Sequence, residues 1–116
     1  LIRRDLARVQ LETKELALLD SAIENLTASL AIERFASFTW RQLAIAYGRK
    51  GDKGRRSLAL AEEALLINKP DIARYHAGFA EQIFTEGERE WLQARDIQLA
   101  ANELENAIKR RRSSGN

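Results

Sequence analysis

The amino-acid sequence predicts an all-α fold, and three observations support this prediction. Alanine and leucine dominate the apolar residues, and both favour helices. The 116 residues include only one proline and six glycines, too few for the many turns of a β-sandwich or barrel. Several stretches place apolar residues three and four positions apart, which is the spacing of one helix face.

Six helices are predicted, and the first two occupy the N-terminal part of the chain. The first spans about Ile2–Glu12, with Leu6 and Val9 facing inward. The second spans about Glu15–Ile32, where the apolar residues follow the helical period. These apolar residues are Leu19, Ala22, Ile23, Leu26 and Leu30.

The third and fourth predicted helices are separated by a glycine turn. The third spans Ser37–Lys50, begins behind a Ser37 or Thr39 cap, and ends before Gly51 and Asp52. The fourth spans Gly54–Asn68 and is apolar on most of its faces. A helix of that kind is usually packed between neighbours on both sides.

The fifth and sixth predicted helices follow a proline and a second glycine. Pro70 ends the fourth helix and starts the fifth, which spans Asp71–Phe84. The sixth spans Glu88–Arg111. Residues 1–112 are predicted to form one domain, and residues 113–116 a disordered tail. Because the loops are short, consecutive helices should pack as antiparallel neighbours.

An internal repeat narrows the fold class to a helical solenoid. Small and apolar residues of the second helix recur about 35 positions later in the fourth, close to the tetratricopeptide period. Trp40, Leu43, Ala44 and Tyr47 also match the first-helix pattern of that repeat, with alanine in the glycine place. The sequence therefore predicts antiparallel helix pairs stacked as a right-handed solenoid. The predicted repeat core comprises Leu6, Ala22, Leu26, Trp40, Leu43, Ala44, Tyr47, Ala61, Ala64, Ala73, Ala77, Ala80 and Trp91.

Two repeat registers fit the pattern. In one, the helix of Trp40 is the first helix of a pair and the helix of Ala61 and Ala64 is the second. In the other, the helix of Ala61 is the first and the helix of Ala73 and Ala77 is the second. Both registers place small residues where two helices approach closely, so the sequence leaves them open.

Three stretches carry a more specific resemblance. Residues 40–49 read WRQLAIAYGR, residues 58–66 read LALAEEALL, and residues 91–97 read WLQARDI. Over roughly residues 1–97 the chain resembles the C-terminal tetratricopeptide region of bacterial zinc metallopeptidases. These peptidases belong to the HtpX and CAAX-prenyl-protease family, in its periplasmic branch that assists β-barrel assembly. The loop from Leu66 to Asp71 departs from the family pattern.

The resemblance implies a non-catalytic domain of a larger periplasmic protein. In that family a preceding domain carries HExxH, whose histidines bind zinc and whose glutamate activates water. Zinc is therefore expected outside this chain, since His76 is its one histidine. The implied role is to hold substrates or assembly partners in outer-membrane protein quality control. The alternative is a free-standing adaptor or co-chaperone scaffold without protease activity.

Composition excludes several other classes of function. The chain has no cysteine, which excludes thiol catalysis, disulfides and cysteine zinc sites. Its 19 basic and 17 acidic residues are too evenly balanced to indicate a nucleic-acid partner. No apolar run is long enough to span a membrane, and we expect no cofactor and no enzymatic activity of this chain itself.

Protein or peptide segments are therefore the expected partners, and the predicted binding surface is the concave groove of the solenoid. In the register led by Trp40 the groove residues are Phe38, Arg41, Ile45 and Arg49, together with Arg4 and Arg8. Such a basic groove with apolar spots suits an acidic or carboxylate-bearing segment. We also expect a fragment of a longer array to expose its N-terminal repeat face and to self-associate through it.

Overall fold

The computed structural model describes the backbone of residues 2–115 and the side chains of residues 9, 10 and 12–115. Within this described range, all regular structure is α-helical, which confirms the predicted fold class. The helices pack in consecutive pairs, in a solenoid-like arrangement 70 × 28 × 23 Å in size. The five helices of this range are α1 (Ile2–Ile32), α2 (Ser37–Lys50), α3 (Lys53–Leu66), α4 (Pro70–Ile83) and α5 (Arg89–Ser114).

The first two predicted helices are one continuous helix, so the expected break near Thr13 is wrong. The segment between them contains neither glycine nor proline, and the Thr13 hydroxyl donates a hydrogen bond to the Val9 carbonyl at 2.8 Å. A threonine hydroxyl that donates to the carbonyl four residues earlier is compatible with a continuous helix. At 31 residues, α1 is ~46 Å long, more than twice the length of α2. Its C-terminal half contributes the ion pair of Asp20 with Lys50 of α2 and the buried Leu30 of the smaller core cluster.

Glycine, proline and aspartate define the other helix ends. Gly51 adopts a left-handed φ of 83° and donates to the Gly48 carbonyl at 3.1 Å, which closes α2. The Asp52 carboxylate then accepts from the Arg55 backbone N–H at 3.1 Å and caps α3. Pro70 is the first residue of α4, as expected from its fixed φ. The last helix extends three residues beyond the predicted Arg111, to Ser114.

The central helix α3 separates two clusters of buried apolar residues. Alanines that are fully inaccessible to solvent dominate the larger cluster, so α3, α4 and α5 approach one another closely. That cluster contains Leu58, Ala61, Ala64, Ala73, Ala77, Ala80, Ala94, Ile97 and Ala101. The smaller cluster, between α1, α2 and α3, contains Leu30, Leu43, Ala44 and Ala59. The sandwiched position expected for this helix is therefore the observed one.

The packing distinguishes the two repeat registers. Helix α3 contacts α5, the second helix after it in the chain. In a stack of helix pairs, the first helix of one pair contacts the first helix of the next pair in this way. In the described residues no Cα atom of α2 comes within 8 Å of one in α4, so α2 does not play that role. Helices α3, α4 and α5 match the register in which α3 and α4 form one pair and α5 begins the next, whereas no described Cα atom of α1 lies within 8 Å of one in α3.

The residues of the predicted repeat core differ in burial. Seven of them are buried: Leu43, Ala44, Ala61, Ala64, Ala73, Ala77 and Ala80. Five are half-buried: Ala22, Leu26, Trp40, Tyr47 and Trp91. Leu6 lies outside the side chains that the structure describes. Over the described residues, no helix combines the length and the apolar character needed to cross a membrane.

Candidate interaction groove

A groove of about 740 Å³ runs along one face of the solenoid between α5 and the corner that joins α1 to α2. We call it the α3–α5 groove, because these two helices supply most of its surface. Its lining residues are Arg34, Phe35, Trp40, Glu62, Leu65, Leu66, Arg89, Leu92, Gln93, Asp96, Ile97 and Ala100. A cleft of this size lies within the range of ordinary ligand and peptide sites.

Helix α5 forms one wall, and its sequence spacing explains why. The wall residues Leu92, Asp96 and Ala100 recur every four positions and therefore share one helix face. The adjoining face carries Ala94 and Ala101, which are fully buried against the core. One face of α5 thus attaches it to the fold while the next is left open to the groove. Leu92 is half exposed there.

The opposite wall is the short loop between α1 and α2. The indole N–H of Trp40 donates to the Arg34 carbonyl at 3.0 Å and so fixes the loop against α2. Phe35 projects from this loop with 76% of its surface exposed. The Arg34 guanidinium lies over its ring at 5.8 Å from the centroid, a cation–π contact. The loop therefore presents an aromatic ring and a cation at the edge of the groove.

The charges of the groove are mixed rather than basic. Arg34 and Arg89 are balanced by Glu62 and Asp96. Burial raises the pKa of the Glu62 carboxyl above its ordinary value, and the hydrogen bond from Gln93 and the positive charge of Arg34 only partly oppose this. The Gln93 amide donates to Glu62 across the groove floor at 3.4 Å. Glu62 and Gln93 are thus half-buried polar residues beside the apolar Leu65 and Leu66 of the groove.

A smaller depression of about 240 Å³ adjoins this groove and shares Trp40, Arg89 and Gln93 with it. Arg55 joins the helices at its edge. The Arg55 guanidinium lies 2.9 Å from the Asp52 carboxylate and 3.5 Å from that of Glu90 at the start of α5. The same guanidinium lies over the Phe84 ring, 5.7 Å from its centroid. These contacts anchor the N-terminal end of the α5 wall to α3.

The four described residues of the predicted groove lie on a different surface. Phe38, Arg41, Ile45 and Arg49 share the outer face of α2, and none of them lines the α3–α5 groove. Arg41 pairs with Glu63 of α3 at 3.2 Å, so its charge is partly neutralised. Arg49 borders a separate depression of about 550 Å³ with Glu15, Leu18 and Leu19 of α1. Arg4 and Arg8 lie outside the side chains that the structure describes.

The predicted groove follows the register of Trp40 and therefore lies on a different helix pair from the α3–α5 groove. Trp40 is predicted as a core residue only, although one edge of this side chain lines the α3–α5 groove. Two signals pointed to the observed site. Phe35 is a large aromatic residue in a loop of four residues, and Leu92 interrupts the polar side of α5. Large apolar residues at positions that the core does not need often mark binding surfaces.

The described residues contain no group of three or more histidine, cysteine, aspartate or glutamate residues that could hold a metal ion. His76 packs against the edge of the Tyr75 ring at 5.2 Å between centroids. Burial lowers the pKa of the His76 imidazole, the nearby Arg56 lowers it further, and Glu63 opposes both.

Comparisons with protein-family models, with curated proteins and with solved structures give no significant match to this chain. The resemblance to the metallopeptidase repeat region therefore rests on the residues quoted for it.

Proposed function

We propose that this domain binds a helical segment of a partner protein in the α3–α5 groove. The observation that carries the proposal is the apolar pair Phe35 and Leu92, one on each wall, exposed above the apolar floor of Leu65 and Leu66. Exposed apolar surface gathered around a cleft is typical of binding sites.

The shape of the groove favours a helix as the ligand. One wall and the floor come from helices α5 and α3, and the other wall is the short loop that joins α1 to α2. Solenoids bind partners by adding a further packed element to such a concave surface. An amphipathic helix would place anchors at positions i, i+3, i+4 and i+7 on the apolar floor. Arg34 and Arg89 would meet acidic residues on its flanks, and Asp96 would meet a basic one.

Trp40 makes the proposal directly testable, because its ring lines the groove. The Trp91→Phe variant leaves Trp40 as the single tryptophan. Titration with synthetic amphipathic helical peptides, flanked by acidic and basic residues, should then shift its fluorescence emission. A peptide of the same composition in scrambled order should leave the emission unchanged.

The Leu92→Glu variant tests whether the groove is the surface that binds the peptide. It puts a carboxylate on one wall without touching the core, so binding should weaken while helicity by circular dichroism stays the same. The same substitution at Leu18, which is exposed on α1, should leave binding intact. Emission that no peptide of the panel changes, or that responds equally in the Leu92→Glu variant, would contradict the proposal.

The larger context is proposed on the sequence resemblance alone. In that proposal the domain serves a periplasmic zinc metallopeptidase and presents unassembled outer-membrane proteins or assembly partners to it. The alternative, an adaptor without protease activity, uses the same groove. The coding sequence upstream of Leu1 separates the two, since a signal peptide and an HExxH helix are expected only in the first case.

A further inference from the structure

Helix α4 carries a second apolar surface that the core does not use. Ile72, Tyr75, Phe79 and Ile83 recur at three- and four-residue intervals and therefore form one stripe along the whole helix. Their exposed fractions are 47, 73, 44 and 46%. We call this surface the α4 stripe. Four large, partly exposed side chains in a row are typical of a helix that packs against another helix.

The fold covers these side chains only in part, although a methyl group of Ile83 lies against Gly54 of α3. The inner face of α4 packs through Ala73, Ala77 and Ala80, none of which is accessible to solvent. Two charged residues of α4, Arg74 and Glu81, contact α5 instead. Arg74 lies 2.7 Å from the Glu105 carboxylate, and Glu81 lies 3.1 Å from the guanidinium of Arg95. With α4 already attached through alanines and ion pairs, the stripe is left over as an interaction surface.

We propose that a second copy of this chain docks on the α4 stripe in the antiparallel direction. The order isoleucine, aromatic, aromatic, isoleucine reads the same from both ends. An antiparallel pair therefore sets Ile72 opposite Ile83 of the second copy, and Tyr75 opposite Phe79. Contact of this kind is isologous, so both copies use the same surface and the assembly closes as a dimer.

The charges at the two ends of α4 favour the same arrangement. Lys69 precedes the helix and Glu86 follows it, and both side chains are exposed. Neither has an ion-pair partner among the described side chains. The antiparallel pair brings Lys69 toward Glu86 of the second copy, whereas a parallel pair would oppose like charges.

The size of the stripe sets the expected strength. A helix of 14 residues is ~21 Å long, so the contact is small by the standard of specific interfaces. The dimer should accordingly be weak and reversible, with dissociation in the micromolar range. It uses neither the α3–α5 groove nor the N-terminal half of α1, so it is independent of the function proposed above.

Sedimentation of the full chain over a range of concentrations tests the proposal. The variants Tyr75→Lys and Phe79→Glu should each weaken self-association by about tenfold or more. An equimolar mixture of the two should recover it as a heterodimer. In the mixed pair the introduced ammonium faces the introduced carboxylate, and the second contact remains the native Tyr75–Phe79 pair. Recovery therefore reports the antiparallel register itself and shows that both variants are folded.

The control is Leu18→Glu, which places the same kind of charge on the exposed surface of α1. It should leave self-association unchanged. Three results would overturn the proposal: a wild-type chain that stays monomeric at submillimolar concentration, a mixture that fails to recover association, or association that is lost in Leu18→Glu and kept in the α4 variants. The last result would instead locate self-association at the N-terminal face.

Discussion

The Phe84 ring lies directly against the backbone of Gly54, so that a Cβ atom at position 54 would come within 2.7 Å of two ring carbons. The same Cβ would lie 3.1 Å from a methyl carbon of Ile83. This contact joins the first turn of α3 to the end of α4 and holds Phe84 over the larger alanine cluster. Glycine is needed at this point for close approach rather than for an unusual backbone angle.

Gly54→Ala should therefore destabilise the domain, by about 1–3 kcal/mol, because the ring and the helix end must move apart. The matched control is Gly78→Ala in α4, where nothing lies within 4 Å of the added Cβ. That change should stabilise the domain by about 0.5–1 kcal/mol, since alanine favours the helix. Urea unfolding measures both, and a destabilisation of equal size at the two positions would contradict the contact.

Enlarging a buried alanine should be costly at the seam between α3, α4 and α5. Ala77 is completely inaccessible to solvent and faces the alanines of the neighbouring helices. Ala77→Leu should lower the free energy of unfolding by about 1–3 kcal/mol, because the helices cannot separate without losing other contacts. The same substitution at Ala28, on the exposed side of α1, should change stability by less than about 0.5 kcal/mol.

The charged form of the Glu62 carboxyl should destabilise the fold, because its surroundings in the groove disfavour the charge. The pH dependence of the melting temperature should show this effect. Burial raises its pKa above the ordinary 4.5, so its contribution to stability is present below that value and is lost as the pH rises through the raised pKa. Glu62→Gln should therefore melt at a higher temperature than the wild type at neutral pH. The difference should shrink as the pH falls toward 4.5.

For Glu81 we expect the opposite pH dependence of the melting temperature. Hydrogen bonds from Gln98 and Arg95 lower the pKa of its carboxyl, so it stabilises the fold above the ordinary pKa and loses this effect in acid. Glu81→Gln should thus lower the melting temperature at neutral pH and have less effect as the pH falls. Melting curves that shift in the same direction for both variants would refute these assignments.

The ion pair of Arg41 and Glu63 should be stronger than its exposed arginine suggests. The Arg41 side chain is 62% exposed, but the Glu63 side chain is only 11% exposed. Arg41→Gln leaves that carboxylate without its partner, and it should cost about 1 kcal/mol. Adding Glu63→Gln to this variant should recover part of the loss. A double-mutant cycle in urea measures the coupling, and a coupling energy of zero would show that the pair contributes nothing.

The ends of four helices could be read from the sequence because local chemistry sets them. The bounds of α2 are the predicted ones, and those of α3, α4 and α5 differ by one to three residues. Gly51 supplies a left-handed turn, Pro70 a helix start, and Gly87 a second left-handed turn with φ 91°. The predicted division of α1 into two helices is wrong because local chemistry does not end a helix there. No residue near Thr13 ends a helix, and a change of apolar pattern alone does not end one.

The sequence by itself determined the fold class, the loops and the small residues at the helix seams, because these depend on backbone preferences and on spacing along one helix. The tertiary structure alone decided which helices become neighbours and where clefts form between them. Both repeat registers satisfy the alanine spacing of α3, and only the contact of α3 with α5 distinguishes them. The packing also forms a cleft lined by Phe35, Trp40 and Leu92, which the pattern within each helix did not predict. Helix neighbours are chosen by packing between distant segments, and a pattern within each segment cannot specify that choice.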